Sequence, residues 1–403
     1  MSATRRDFLK SSIAGATLMA TCGSLPGFLC RTALAATPGK DRRTLVVIQL
    51  SGGNDGLNTV IPFADDLYQK ARPTLRIGAD RALRLSDTLG LHPEMTGMHR
   101  LHEAGLLQTI TNVGYPNPDR SHFRSMDIWH TASMKPEGAN DGWLGRLVDR
   151  STVDGGAPQA LHVSDESLPL ALRTRSQAVP SIRGIDAFRL DGDDAALRTA
   201  IEAPRGGAGD DLLFVQRVAL SSCDTARRIE QVVRGDTVKA PYPDYGLARR
   251  LQQIAQLISA DFGPRVYYTS LGGFDTHARQ QLAHGPLLRE LSDSTAAFVD
   301  DLKQRGQLDR VLVMTFSEFG RRLSENASQG TDHGAAAPMF LAGSACRAGV
   351  LGEMPDLRNL DEGDVRHKLD FRSVYATVLD RWLEADARAI LGESFKHAAV
   401  LRG

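Results

Sequence analysis

Apolar residues are spread along this chain in two ways. Early on, and again in the last third, they form short unbroken runs that stop abruptly at glycine and polar residues; in the middle they recur at helical spacing. The first run, Thr-Leu-Val-Val-Ile-Gln-Leu at 44–50, predicts a strand buried on both faces of a parallel sheet. It ends in Ser51-Gly52-Gly53-Asn54-Asp55-Gly56. Residues 106–113 predict a second strand, 114–120 a loop by composition, and Ser121 opens a helix to about His130. A short strand is expected over 160–164. From about 191 to 261 the spacing is helical, through Leu212, Val215, Val218 and Leu220, then Ile229, Val232 and Val233, then Leu247, Leu251, Ile254 and Leu257. Alternation returns with strands over 266–271, 311–316 and 338–342 and helices over about 286–305 and 371–383. Repeated strand, loop and helix with apolar strands predicts an α/β fold, a doubly wound, mainly parallel sheet flanked by helices. With no internal repeat and no low-complexity linker, the helical stretch reads as an insertion in a single domain covering 36–403.

The first 35 residues stand apart. Arg5-Arg6-Asp7-Phe8-Leu9-Lys10 precedes a weakly apolar stretch and the small-x-small triplet Ala33-Leu34-Ala35. This is the arrangement of a twin-arginine signal, which implies passage of a folded protein through the twin-arginine export machinery to the bacterial periplasm or beyond. No other stretch approaches the roughly 20 apolar residues of a membrane span.

Composition narrows the function. The chain has 403 residues, with 48 Lys and Arg against 48 Asp and Glu. Cleavage after Ala35 removes Arg5, Arg6, Lys10 and Arg31 but only Asp7, leaving 44 basic and 47 acidic residues and a net charge of −3. Neither figure suits a bulk nucleic-acid binder, and 6% aromatic residues provide little base stacking. Of four cysteines, Cys22 and Cys30 leave with the signal; Cys223 and Cys346 remain, either as a disulfide or as two buried thiols.

The chemistry gathers at strand ends, where open parallel sheets bind ligands. Asp55, Asp275, His277, Glu318 and Arg321 each follow a predicted strand, and Asp332 and His333 lie in a polar loop leading into another. Carboxylates and imidazoles together make an oxygen and nitrogen donor set that suits a divalent metal, zinc or manganese among others. Each residue also has a plainer role open to it: Asp55 as a turn residue, Asp275 as a helix cap, Glu318 and Arg321 as a salt bridge at a helix start. Ser121 is the candidate nucleophile, or simply an N-cap, and His122 a candidate base or ligand. The chain has no G-x-S-x-G, Walker, H-E-x-x-H or C-x-x-C motif.

Four motifs taken together are specific: Ser51-Gly-Gly-Asn-Asp-Gly-Leu57, Arg120-Ser-His-Phe123, Gly272-Gly-Phe-Asp-Thr-His277 with Ser317-Glu-Phe-Gly-Arg321, and Thr331-Asp-His-Gly334. As a set they resemble an exported bacterial family of uncharacterised function within the alkaline-phosphatase and sulfatase superfamily. The resemblance implies an alkaline-phosphatase-like core with metal held among Asp55, Asp275, His277, Glu318, Asp332 and His333. Ser121 lies in the region where the superfamily keeps its nucleophile. The chain departs from the superfamily where Glu318-Phe319 replaces an Asp-His pair, and it lacks the Cys-x-Pro-x-Arg of sulfatases. The expectation is a periplasmic metal-dependent hydrolase of a small anionic or glycan-linked ester, a phosphoester ahead of a sulfate ester, with Arg321 steadying substrate charge. The alternatives are an exported binding or assembly protein that keeps the fold without the chemistry, and, more remotely, a redox passenger of the same export route.

Overall fold

The computed structural model describes residues 42–151, 159–177, 179–183, 232, 235–236 and 240–402. The expected export signal, Cys223 and the helical spacing at 212–231 lie outside them. Of the expected insertion, the helix through Leu247 and Leu257 is described.

The elements, in chain order, begin with β1 (Thr44–Leu50), α1 (Gly56–Thr59), β2 (Val60–Ile61), α2 (Asp66–Ala71), β3 (Leu83–Arg84) and β4 (Gly90–Leu91). Next come α3 (Thr96–Glu103), β5 (Leu107–Gly114), α4 (His122–Thr131), α5 (Trp143–Arg150), β6 (Ala160–Val163) and β7 (Ser181–Ile182). The last part holds α6 (Gly246–Ser259), β8 (Val266–Leu271), α7 (Gln280–Gln304), β9 (Val311–Ser317), β10 (Arg321–Glu325), β11 (Thr331–His333), β12 (Ala337–Ala342), β13 (Gly349–Leu351), β14 (Leu369–Asp370), α8 (Phe371–Thr377) and α9 (Ala387–Leu391).

The central sheet runs β13-β5-β12-β9-β1-β8-β6-β7, with β14 added on β5. Its pairs are parallel except those of β12, which is antiparallel to both neighbours. This is the mainly parallel α/β architecture that the unbroken apolar runs predict. All seven residues of β1 are buried, and their period of two feeds two cores. Leu45 and Val47 face a layer with Trp129, Trp143, Phe371 and Tyr375 from α4, α5 and α8. Val46, Ile48 and Leu50 face Met98, Leu251, Leu291 and Phe298 from α3, α6 and α7. Among the described residues no helix is long and apolar enough to cross a membrane.

Two elements differ from expectation. Helix α7 begins at Gln280 rather than near Pro286, so the proline lies inside it. A proline N–H is missing there, but buried anchors hold the turn that precedes it: Gln280 accepts from Thr331, and His284 Nε2 lies 2.8 Å from Asn54 Oδ1. The polar residues Asp332 and His333 form a strand, because β11 pairs antiparallel with β10 and sets His333 opposite Arg321.

Candidate functional site

The loops after β1, β8 and β9 meet at one edge of the sheet, and Arg321 ties them together. It is 1% exposed. Its Nε donates to Gly53 O at 2.6 Å, Nη1 to Thr331 O at 2.8 Å, and Nη2 to Gly52 O, to Phe274 O and to Asp275 Oδ1. The chain at Gly52 has φ +115°, and a Cβ there would meet Asp275 N at 2.5 Å, so only glycine lets these two loops touch. The expectation that Arg321 meets substrate charge is therefore corrected. Its donors are spent on backbone carbonyls and Asp275 in a site closed to solvent.

Around Asp275 three imidazoles converge. His277 Nε2 is 3.0 Å, His333 Nε2 3.2 Å and His122 Nε2 3.4 Å from Asp275 Oδ1. His277 and His333 face each other with Nε2 atoms 2.9 Å apart. Ligand atoms of His122, Asp275 and His333 all lie within 4.8 Å of one another. His122 comes from the first turn of α4, Asp275 and His277 from the loop after β8, and His333 from β11.

The opposite nitrogen of each ring faces an acceptor. His122 Nδ1 lies 2.8 Å from the buried carboxylate of Glu318, and His333 Nδ1 2.8 Å from Arg120 O. His277 Nδ1 lies 3.5 Å from Asp332 Oδ1. A carboxylate or carbonyl can only accept: with its proton on Nδ1 a ring satisfies the acceptor behind it and turns an Nε2 lone pair into the group, and with the proton on Nε2 it donates to Asp275. Such outer contacts orient imidazoles at metal centres. Glu318 is held in turn by Gly52 N at 2.9 Å and Ser317 Oγ at 3.0 Å.

The electrostatics agree. Burial pushes the Asp275 carboxyl up, but hydrogen bonds from Arg321 and His333 outweigh it and hold the carboxyl at about 2. Burial lowers His333, keeping it neutral, while the Glu318 hydrogen bond raises His122. The donor set fits a cation. His122 Nε2 is buried without a hydrogen-bond partner, and the His277 and His333 Nε2 atoms, 2.9 Å apart, can share either a proton or a cation between them. The measured separations also bracket the edge, about 3.3 Å, of a tetrahedron with metal–nitrogen bonds of about 2.0–2.1 Å.

The remaining expected residues lie elsewhere or in supporting positions. Glu318 and Asp332 stand behind the imidazoles. Asp55 is not brought to the group: it is fully buried, caps α1 through Leu57 N at 3.2 Å, and pairs with Arg72, whose Nη2 is 3.0 Å from its Oδ1, while Gln280 Nε2 donates to Oδ2. Every Arg72 donor is used, the others going to Asn58 Oδ1, Leu323 O and Arg322 O. Ser121 precedes α4 with no side-chain capping bond; its N–H donates to Asp119 Oδ1 at 2.8 Å. Sequence reasoning missed Arg72, Gln280 and the Arg120 carbonyl. Arg72 reads as an ordinary basic helix end before a proline, and a carbonyl has no sequence signal.

A sulfatase from Pseudoalteromonas sp. is similar in structure at 11% identity and TM-score 0.39, covering 98% of this chain and 75% of that one. The C-terminal periplasmic domain of EcEptC from Escherichia coli, in complex with zinc, is similar at 10% identity and TM-score 0.38, covering 77% and 76%. A protein in the alkaline phosphatase superfamily from Vibrio parahaemolyticus is similar at 9% identity and TM-score 0.35, covering 84% and 74%. No curated protein matches the sequence. The DUF1501 family of proteins of unknown function matches residues 42–392, nearly the whole described chain, and this protein belongs to it.

Proposed function

We propose that this protein is an exported, metal-dependent hydrolase of an anionic ester, with a phosphoester the favoured substrate over a sulfate ester. The observation that carries the reading is the convergence of three imidazole Nε2 atoms on Asp275, each ring pinned from behind by an acceptor. His122, Asp275, His277 and His333 hold the ion, which is zinc or manganese. When bound, such an ion supplies Lewis acidity and draws the negative ester oxygens to the site. One carboxylate flanked by the Arg321 guanidinium favours a single ion over a pair, because little negative charge is left to hold a second. Glu318 and Asp332 fix the rings of His122 and His277. Ser121 is the nucleophile: its hydroxyl is free of capping, and the N-terminus of α4 favours the charge that builds there. The Arg5-Arg6 segment directs export in the folded state, after the site has formed.

The test is elemental analysis of purified mature protein beside His333→Ala, with turnover of p-nitrophenyl phosphate and p-nitrophenyl sulfate. About one ion per chain is expected, lost in the variant together with phosphatase activity. Protein that stays metal-free under replete conditions and turns over neither ester sinks the hydrolase and leaves the exported binding protein standing.

A further inference from the structure

Beside the imidazole group the protein opens a cleft of about 520 Å³, with His122, Asp275 and Glu318 at its inner end. One wall is a single face of α4: Phe123, Met126, Asp127 and His130 recur at helical spacing and all line the cleft. The facing wall is the segment 167–173, with Leu168, Leu170 and Arg173. Phe123 is 87% exposed, directly after a residue of the proposed metal group. A lone exposed phenylalanine is ordinary. Here it lines the same open cleft as Met126 and the half-buried Leu168 and Leu170, so the slot carries an apolar patch among its polar residues.

The slot has a polar outer part. Arg173 is exposed, and among the described residues its side chain makes no hydrogen bond or ion pair. Its charge lowers the carboxyl of Asp127 and the imidazole of His130, so it is felt inside the cleft. Asp127 too has no side-chain partner among the described residues, and burial raises its carboxyl overall. A volume of this size exceeds what a phosphate alone needs and lies within the range of sites that enclose a drug-sized molecule.

We infer that this cleft binds the alcohol part of the ester and selects alcohols that carry a ring with an apolar face. The inference rests on the proposed hydrolase site for the anionic end of the substrate. The ring lies against Phe123 between the two walls, and Asp127 and Arg173 take up polar substituents on its far side. A six-membered ring, aryl or sugar, turns a flat apolar face to such a patch and polar edges to the charged residues beside it. A short alkyl ester leaves Phe123 in water and gains nothing from it.

The experiment is calorimetric titration of the metal-loaded mature protein with methylphosphonate and phenylphosphonate, which keep the anion and cannot be hydrolysed at an ester bond. Phenylphosphonate should bind about tenfold or more tightly. In Phe123→Ala that ratio should collapse toward unity, and in Phe123→Trp it should persist. Glucose 1-phosphate binding as tightly as phenylphosphonate, and weakening in Arg173→Ala, assigns the ring to a sugar; weak binding assigns it to an aryl group. Equal binding of the two phosphonates, or a ratio that Phe123→Ala leaves intact, overturns the inference while the anion site stands. If neither phosphonate binds, the hydrolase reading falls and the inference with it.

Discussion

Asp55 and Asp275 occupy matching places, each a few residues beyond the end of a central parallel strand and beside a glycine pair, yet they have opposite fates. Around Asp55, Arg72, Gln280 and the α1 backbone satisfy both oxygens, and neither residue of the Asp55–Arg72 pair touches solvent. Around Asp275, the side chain is half exposed, and of the three imidazole Nε2 atoms facing it that of His122 is buried without a hydrogen-bond partner. The sealed pair is a strut and the open group is the candidate binding site. A carboxylate at a strand end therefore becomes functional through what its neighbours leave undone, more than through its own position.

The sharpest way to break this comparison is Arg72→Ala. It strands a buried carboxylate, and stability should fall by about 3–5 kcal/mol, read as a shift in the urea midpoint at unchanged slope. Asp275→Ala removes a half-exposed carboxylate but leaves the buried Arg321 guanidinium without it, so its loss in metal-free protein should be smaller than that of Arg72→Ala, Arg321 keeping its backbone carbonyls. Equal losses in the two variants would erase the distinction between strut and site.

The next effect is a pH dependence contributed by the sealed side. Burial, only partly offset by Asp55, holds His284 at about 3, well below its ordinary value near 6.5. The unfolded chain takes up this proton first as pH falls, so stability declines from about pH 6.5 toward 3, and is recovered above that window. His284→Gln, whose amide can still reach Asn54, should flatten the decline in metal-free protein. An unchanged slope would show that other groups dominate it.

The smallest effects sharpen the open side. Glu318→Gln weakens the hold on the His122 ring and should lower metal affinity about 10–100-fold, by competition with a chelator. Asp332 is exposed and more distant from its imidazole, so Asp332→Asn should cost less than Glu318→Gln. The reverse order would mean that burial does not set how strongly the outer carboxylates act.

Much of the architecture is legible in the sequence because a strand buried on both faces has to be mainly apolar, as β1, β8 and β9 are. The residues near the site are legible for a related reason: they follow those strands, where the glycine turns are. Their division of labour is not. Whether an aspartate faces an arginine or a histidine depends on residues far along the chain, as with Asp55 and Arg72, or Asp275 and His333. Arg321 shows the same limit. Its motif marks it as important, and only packing reveals that it works on backbone carbonyls.

The sheet order also bears on synthesis. β1 is made first but lies between β8 and β9, which come from the last third of the chain. At about 5–20 residues per second, a ribosome needs roughly 15–50 s to go from Leu50 to Ser317. Thr-Leu-Val-Val-Ile-Gln-Leu has neither lateral partner until Leu271 is made and lacks one until Ser317, the kind of apolar stretch that pairs with other chains when left uncovered. Newly made chains should be at greatest risk of aggregating in that interval, before the ninth strand emerges.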